Sequence, residues 1–371
     1  MTFITLCVLV VFVFCFSNTV ANAGEDPAED LQIKASRASS AGQFEKASQI
    51  FTQELDLLIA KGRHLDAAAV YTQFGEMSQI EGQFPAAEAS YKNALDLFQH
   101  YAKPNDLSFI AALDDLGWMY VTWGRQIEGA RLLNEAHHKA ERVPPKDPGL
   151  LRHLDTQAAY LSVEGRYSEA VSDWKRALAI GAAAYGPDSR DYDSLLVHFG
   201  QASDLFGDYA GAVSLFRKYL NIESPASAGP ANLSYAVAAG ELAHVYTELH
   251  KYPEARHWFS ESMNVFGSHP GEPLVYSMIL SYLGDAYMAQ RDWANAELQY
   301  RKALNIEQSV LGNNHTVAWE MFSLAKALRK RHAKSEAKDL ESRAKAILIA
   351  EKNPTQEATI DVLALRHEEH E

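Results

Sequence analysis

A small residue followed four positions later by an aromatic or large apolar residue recurs along the whole chain. This spacing puts both side chains on one face of an α-helix, one turn apart. Repetition of the pattern at a near-constant interval predicts eight copies of one helical unit. The pairs are Ala47 with Phe51, Ala87 with Tyr91, Gly129 with Leu133, Ala170 with Trp174, Ala212 with Phe216, Ala255 with Phe259, Ala296 with Tyr300 and, in degenerate form, Ala337 with Glu341.

A turn position lies five residues before each small residue, and most of these positions hold glycine. Glycine adopts the left-handed backbone that ends many helices. Upstream of the turn, a second helix is predicted by a Leu-Gly-x-x-Tyr spacing, as in Leu116-Gly117 with Tyr120 and Leu283-Gly284 with Tyr287. Each unit therefore predicts a pair of helices. The turn positions are Gly42, Gly82, Gly124, Gly165, Gly207, His250, Arg291 and His332.

These residues resemble the tetratricopeptide repeat, whose unit is commonly 34 residues long. The longer period of this chain resembles the repeats of kinesin light chains. The segments at 303–307 and 311–318 are nearest to that pattern, with Thr316 where the family prefers proline. The resemblance implies an all-α fold, an α-solenoid or superhelix of about eight helix pairs over residues 24–350, and a role in binding other proteins.

The N-terminal residues 1–23 hold no charged side chain, and an apolar run of 13 residues extends from Ile4 to Phe16. Small residues at Ala21 and Ala23 fit a signal-peptidase site, so a secretory signal peptide cleaved after Ala23 is expected. The mature protein would then be secreted or periplasmic. No Lys or Arg precedes the apolar run, which leaves an uncleaved membrane tether as the alternative. A membrane-spanning helix needs about 20 apolar residues, and this run is shorter.

The composition and net charge limit the classes of partner that the chain is expected to bind. Hydrophobic residues make up 47% and charged residues 22% of its 371 residues, as in globular proteins. The net charge of −14 opposes binding to phosphate backbones, so no nucleic-acid partner is expected. Both cysteines, Cys7 and Cys15, lie in the predicted signal peptide, so the mature chain would have no disulfide and no cysteine ligand.

The sequence contains no recognised catalytic motif: it has no phosphate-binding loop, no nucleophile elbow and no zinc-protease helix. We therefore expect no catalytic residue, no cofactor and no metal. His137 and His138 are adjacent and point about 100° apart on a helix, so they cannot easily share a metal ion. His367 and His370 lie in the acidic tail at 351–371. An enzyme or metal-binding protein with an unrecognised groove site stays as an alternative.

The family resemblance implies a concave groove lined by the first helix of each unit, at positions 13, 10 and 6 before the turn residue. The Lys and Asn residues of a carboxylate clamp are nearly absent at these positions. The acidic side chains and Trp118 favour a partner protein or peptide with basic and apolar groups, although Trp118 also fits packing between helices. The candidate partner-binding residues are Glu76, Asp114, Trp118, Asp155, Gln201, His244 and Asp285.

The last unit differs from the others because its second helix and turn are rich in charge. A terminal repeat needs a polar outer face for solubility, and a basic docking patch is the alternative. Two glycosylation sequons, at Asn232 and Asn314, fall between predicted units. The sequence thus predicts a non-catalytic interaction scaffold outside the cytoplasm. The basic residues of the last unit are Lys326, Arg329, Lys330, Arg331, Lys334 and Lys338.

Overall fold

A computed structural model describes residues 26–40, 43–80, 82–223, 233–268 and 273–351, and all its regular structure is helical. The predicted signal peptide, the tail from residue 352, Gly42 and the Asn232 sequon lie outside these residues. None of the described helices is both long enough and apolar enough to cross a membrane. The chain divides into two compact units, whose described parts are residues 26–184 and 185–351.

Eight α-helices belong to the first unit. Helices that follow one another pack as pairs, α1 with α2 and so on to α7 with α8. A short 3₁₀ turn at Pro148–Leu150 leads into α7. The helices are α1 Pro27–Ser40, α2 Phe44–Ala60, α3 His64–Ile80, α4 Phe84–Tyr101, α5 Leu107–Thr122, α6 Gln126–Ala140, α7 Leu151–Val163 and α8 Tyr167–Tyr185, the last residue of which begins the second unit.

The second unit has the same organisation, with eight further helices in its described residues. They again pack as four pairs, from α9 with α10 to α15 with α16. A 3₁₀ turn at Arg190–Tyr192 comes before α9. The helices are α9 Ser194–Leu205, α10 Tyr209–Ile222, α11 Leu233–Glu248, α12 Tyr252–Ser268, α13 Pro273–Ala289, α14 Trp293–Leu311, α15 His315–Lys330 and α16 Lys334–Glu351. The predicted all-α fold of about eight pairs is confirmed.

The predicted turn position has a left-handed backbone in every described pair. Its φ angle is 85° at Gly124 and 79° at Gly207, and it stays positive where the residue is not glycine, at 57° for His250, 60° for Arg291 and 66° for His332. The residue after the turn donates its N–H to a carbonyl five residues earlier, as Arg125 does to Tyr120 at 2.7 Å. This hydrogen bond satisfies a carbonyl that the helix end would leave unpaired.

The small residue and its large partner form the contact within each pair, as predicted. Ala47, Ala170 and Ala296 are fully buried. A Cβ atom built on Gly284 would lie 2.6 Å from the ring of Tyr300, so the first helix has no room for a side chain there. Close approach of the two helix backbones follows from this. The same burial holds for Ala87, Gly129, Ala212, Ala255 and Ala337, and the same ring-on-glycine contact for Gly75 with Tyr91 and Gly200 with Phe216.

Candidate binding face on the first helices

In the unit of residues 26–184, one ionic cluster joins three first helices. The Nη2 atom of Arg152 on α7 lies 2.5 Å from Oδ1 of Asp115 on α5 and 2.8 Å from Oε1 of Glu76 on α3. These residues stand 13, 9 and 6 positions before their turns. At 100° per residue, such positions fall within about 60° of one another around a helix. We call the surface at positions 13, 9 and 6 the first-helix face.

The electrostatics of this cluster depend on burial. The Arg152 side chain is 45% exposed, whereas that of Asp115 is only 6% exposed. Burial raises the pKa of Asp115 to about 7, against the opposing charge of Arg152. The Oδ2 atom of Asp115 is buried and accepts no hydrogen bond. The guanidinium of Arg152 is thus partly exposed to solvent, and the buried carboxyl group of Asp115 fixes its position.

In the unit of residues 185–351, the first-helix face is also built from contacts between consecutive first helices. Gln201 on α9 donates from Nε2 to Oε1 of Glu241 on α11, at 3.2 Å. The His244 ring on α11 stacks on Tyr282 of α13 with centroids 4.3 Å apart. In both contacts, position 6 of one helix meets position 9 of the next. The same pairing of positions therefore recurs from one first helix to the next across the face.

The first-helix face of the second unit has both buried and solvent-exposed charged residues. Glu241 is 2% exposed, and burial together with the charge of Asp204 raises its pKa to about 7. Asp285 on α13 and Lys326 on α15 are exposed to solvent. Tyr300 donates its hydroxyl to Oδ1 of Asp285 at 2.6 Å, which fixes the carboxylate. The face therefore offers positioned charges of both signs to a ligand.

Three of the predicted groove residues do not lie on an open surface, and that part of the prediction is wrong. Asp114, Trp118 and Asp155 are 0%, 5% and 6% exposed. Position 10 lies about 100° from position 9 around the helix, on the other side of positions 13 and 6. Asp155 accepts a hydrogen bond from the indole Nε1 of Trp174 at 2.8 Å, and Asp114 contacts His153. Trp118 stands at position 6, but its side chain packs between helices.

The other four candidates, Glu76, Gln201, His244 and Asp285, do reach the surface. Sequence reasoning missed position 9, whose side chains form most contacts of the face. A signal for it was present, because every described unit from the second onward has a polar or hydroxyl-bearing residue there. Those residues are Gln73, Asp115, Thr156, His198, Glu241, Tyr282 and Ser323.

The basic residues of the last pair divide into paired arginines and exposed lysines. Arg329 makes two hydrogen bonds to Glu341, at 2.7 and 2.6 Å, and Arg331 pairs with Glu297. Lys334 and Lys338 are exposed on α16. Glu341, which replaces the aromatic residue of other repeats, thus has a partner on the first helix of its own pair.

The described residues contain no group of three or more His, Cys, Asp or Glu side chains that could hold a metal ion. The first-helix faces of the described residues carry ordered polar side chains.

Comparison with known proteins finds a repeat family that two segments of the chain resemble. The family model described as "Tetratricopeptide repeat" matches residues 151–191 and 278–316, which correspond to α7 with α8 and to much of α13 with α14. No curated protein sequence matches the chain significantly. The solved structures that resemble it share little sequence with it.

The apo form of the quorum sensor NprR from B. thuringiensis is 13% identical, with a TM-score of 0.59, covering 88% of this chain and 89% of that one. A Rap protein complexed with Competence and Sporulation Factor is 13% identical, with a TM-score of 0.55 and coverages of 87% and 99%. Kinesin light chain TPR-like repeats from Podosopora anserina are 18% identical over 56% of this chain and 99% of that one, with a TM-score of 0.47. Residues 151–191 and 278–316 are therefore similar to the tetratricopeptide repeat, and the helix pairs of this chain have the fold of a tetratricopeptide-type α-solenoid.

Proposed function

We propose that this chain is a non-catalytic scaffold that binds a partner protein or peptide along its first-helix face. The observation that carries the proposal is the register of the second unit, where Gln201 meets Glu241 and His244 meets Tyr282 at equivalent positions. A polar face ordered by such contacts loses little side-chain freedom when a ligand binds, which favours affinity.

The chemistry of the face indicates the kind of partner. Asp204 and Asp285 supply negative charge beside the stacked rings of His244 and Tyr282. Such a surface suits a ligand that has basic groups next to apolar ones. The Rap protein solved with Competence and Sporulation Factor and the quorum sensor NprR share the fold, and they support a ligand-binding role for it.

The proposed place of action is outside the cytoplasm, because of the apolar segment before Ala23. N-terminal sequencing of the protein from its native host is expected to begin at Gly24. A sequence that begins at Met1 or Thr2 would favour the membrane-tethered alternative.

Two charge variants of the second unit test the binding face. With the partner isolated by affinity capture and immobilised, Asp285→Asn is expected to weaken binding by about fivefold, since one favourable charge contact is lost. Lys326→Glu is expected to speed association and to steepen its salt dependence, because it removes a charge that repels a basic ligand. Association and dissociation rates would be measured at two ionic strengths.

Lys302→Glu is the matched control for Lys326→Glu, because Lys302 is exposed on α14, a second helix of the same unit. Both changes alter the net charge equally, so only the location differs. If Lys302→Glu changed association as much as Lys326→Glu does, or if Asp285→Asn bound like the wild type, the first-helix face would not be the binding surface. Circular dichroism would confirm that each variant is folded.

A further inference from the structure

One ion pair on the first-helix face of the unit at 26–184 joins two helices that are separated by a third. Oε1 of Glu76 on α3 lies 2.8 Å from Nη2 of Arg152 on α7. The helix α5 packs against both α3 and α7. The Glu76 and Arg152 side chains therefore meet across the width of α5, where Asp115 also contacts the guanidinium.

The two acidic partners of Arg152 differ in their exposure to solvent. The side chain of Asp115 is 6% exposed, whereas that of Glu76 is 28% exposed. An ion pair between partly exposed side chains contributes little to stability, because water competes for both charges. Asp115 therefore positions the guanidinium, and Glu76 can be exchanged for another carboxylate at little cost.

Most of the hydrogen-bonding capacity of Arg152 is unused. A guanidinium has five N–H donors, and both contacts of Arg152 are made by Nη2. Its Nε and Nη1 atoms donate to none of the described residues, so three N–H groups are available to an acceptor from solution. A carboxylate matches a guanidinium well, because it accepts strong, charge-assisted hydrogen bonds from the planar set of donors.

The guanidinium lies in a recess of the first-helix face. The charge of Asp115 raises the pKa of Arg152 while burial opposes that rise, although 45% of the side chain is exposed. A group that is surrounded by protein and still reached by solvent lies in a concave part of the surface. A charge in such a place attracts an opposite charge more strongly than a charge on a flat surface does.

The other charges of this face limit how many acidic groups a ligand can bring. Arg152 is the only Lys or Arg in α3, α5 and α7. The other charged residues at positions 13, 9 and 6 of these helices are Glu76 and Asp115, which are both acidic. A strongly acidic ligand would be repelled, whereas one carboxylate placed at Arg152 would be attracted. The face thus fits a single acidic side chain at one defined point.

The structure also shows which chemical group fits this point, because Glu76 presents a glutamate carboxylate to Arg152 from a different helix. We infer that Arg152 is a receptor for one aspartate or glutamate side chain of the partner, and that Glu76 occupies this receptor when no partner is bound. The inference rests on the proposed function, to which it adds a residue that determines specificity. Glu76 then competes with the partner, whose carboxylate binds in its place.

The probes for the test are peptides selected from a random dodecapeptide library on the immobilised full chain. They are synthesised with both termini blocked, so that side chains supply their only carboxylates. We expect Arg152→Gln to weaken the binding of a selected acidic peptide by about tenfold. Replacement of the acidic peptide residue by its amide should weaken binding to the wild type equally. The two changes together should cost no more than either alone, because they remove the same contact.

Glu76→Gln is expected to have the opposite effect. It should strengthen the binding of the acidic peptide by up to about fivefold, the factor that loss of a partly exposed ion pair allows. It should leave the affinity for the amide version of the peptide unchanged. A residue with only a structural role would not give stronger binding when it is replaced. Arg152 and Asp115 stay in place in this variant, so it decides the question even if Arg152→Gln is poorly folded, as circular dichroism would show.

Arg131→Gln and Glu45→Gln are the matched controls. Both residues are exposed, on the second helices α6 and α2 of the same unit, and the variants change the net charge equally. They should bind the peptides like the wild type. Equal effects in the controls, unchanged affinity in Glu76→Gln, or a need for a free peptide C-terminus would overturn the assignment.

Failure of this inference can be distinguished from failure of the proposed function. Peptides whose binding depends on Asp285 but not on Arg152 would support the proposed function and overturn the carboxylate receptor. A library that yields no binding peptide on the wild type or on Glu76→Gln would contradict both.

Discussion

Replacement of Gly129 by leucine is expected to lower the free energy of unfolding of the unit at 26–184 by about 3 kcal/mol. A Cβ atom at Gly129 would lie 2.7 Å from the carbonyl oxygen of Gly117 and 3.0 Å from the backbone nitrogen of Val121. Both atoms belong to the backbone of α5, so no change of rotamer can relieve the clash. The two helices of the third pair must separate to accept the side chain. Chemical denaturation, followed by circular dichroism, measures the loss.

Asn134→Leu is the control for this change. Asn134 is exposed on α6, so the same side chain is added to the same helix but on its outer side. Such surface substitutions usually change stability by no more than about 0.5 kcal/mol. Equal midpoints for Gly129→Leu and the wild type would show that α5 and α6 do not approach as closely as the structure has them.

The unit at 185–351 is expected to be less stable at pH 8 than at pH 5, because it buries carboxyl groups without a basic partner. Glu307 on α14 and Glu320 on α15 are 3% and 4% exposed. Ser281 donates to Oε2 of Glu320 at 2.7 Å, while Oε1 of Glu320 and Oε2 of Glu307 are buried without a hydrogen bond. Burial raises the pKa of Glu307 to about 7, and burial with the charge of Glu307 raises that of Glu320.

The direction of the pH effect follows from these raised values. Below about pH 4.5, Glu307 is protonated in both the folded and the unfolded state, and its contribution to stability is complete. As the pH rises toward 7, the unfolded state loses this proton first, so the free energy of unfolding falls. A pKa raised from 4.5 to about 7 corresponds to a loss of about 3 kcal/mol.

Glu307→Gln removes this titration and is expected to recover most of that loss at pH 8, with little change at pH 5. Denaturation of both proteins at the two pH values gives the comparison. Glu241 and Asp193 in the same unit also have pKa values raised to about 7, so the variant keeps part of the slope. Glu254→Gln, at an exposed site on α12, should follow the wild type. An identical pH slope in Glu307→Gln and the wild type would contradict the prediction.

The sequence was sufficient for the helix pairs but only partly for the site. The pairs could be predicted because each one depends on local features, such as Ala170 four residues before Trp174 or Gly165 at the turn. Which side chains of a first helix reach the surface depends on their angle around the helix axis. An error of one position changes that angle by 100° and selects different residues. The sequence analysis placed Asp114 and Asp155, at position 10, on the surface, but both are buried; position 9 makes the contacts between consecutive first helices, although most of its side chains are buried as well.

The contacts that join different repeats could not be predicted from the repeat pattern. Arg152 meets Glu76 across 76 residues of sequence, and Asp114 meets His153 across 39. Arg152, Glu76 and His153 have no residue of the same type at the equivalent positions of the other units, so periodicity gives no signal for these contacts. Such contacts depend on which particular repeats pack against each other. The repeat pattern is the same in every unit and carries no information about these individual contacts.

The left-handed turns of the last three pairs have a consequence for how this chain can diverge. His250, Arg291 and His332 adopt the backbone that glycine adopts in the earlier pairs, at a cost of about 1–2 kcal/mol each for a residue with a Cβ atom. The flanking helices therefore impose the turn, whatever residue occupies it. Selection is then free to place a charged or aromatic side chain at each turn without altering the spacing of the repeats. The side chains at these turn positions can therefore change during evolution, and can acquire new charged or aromatic groups, while the helix pairs and their spacing stay the same.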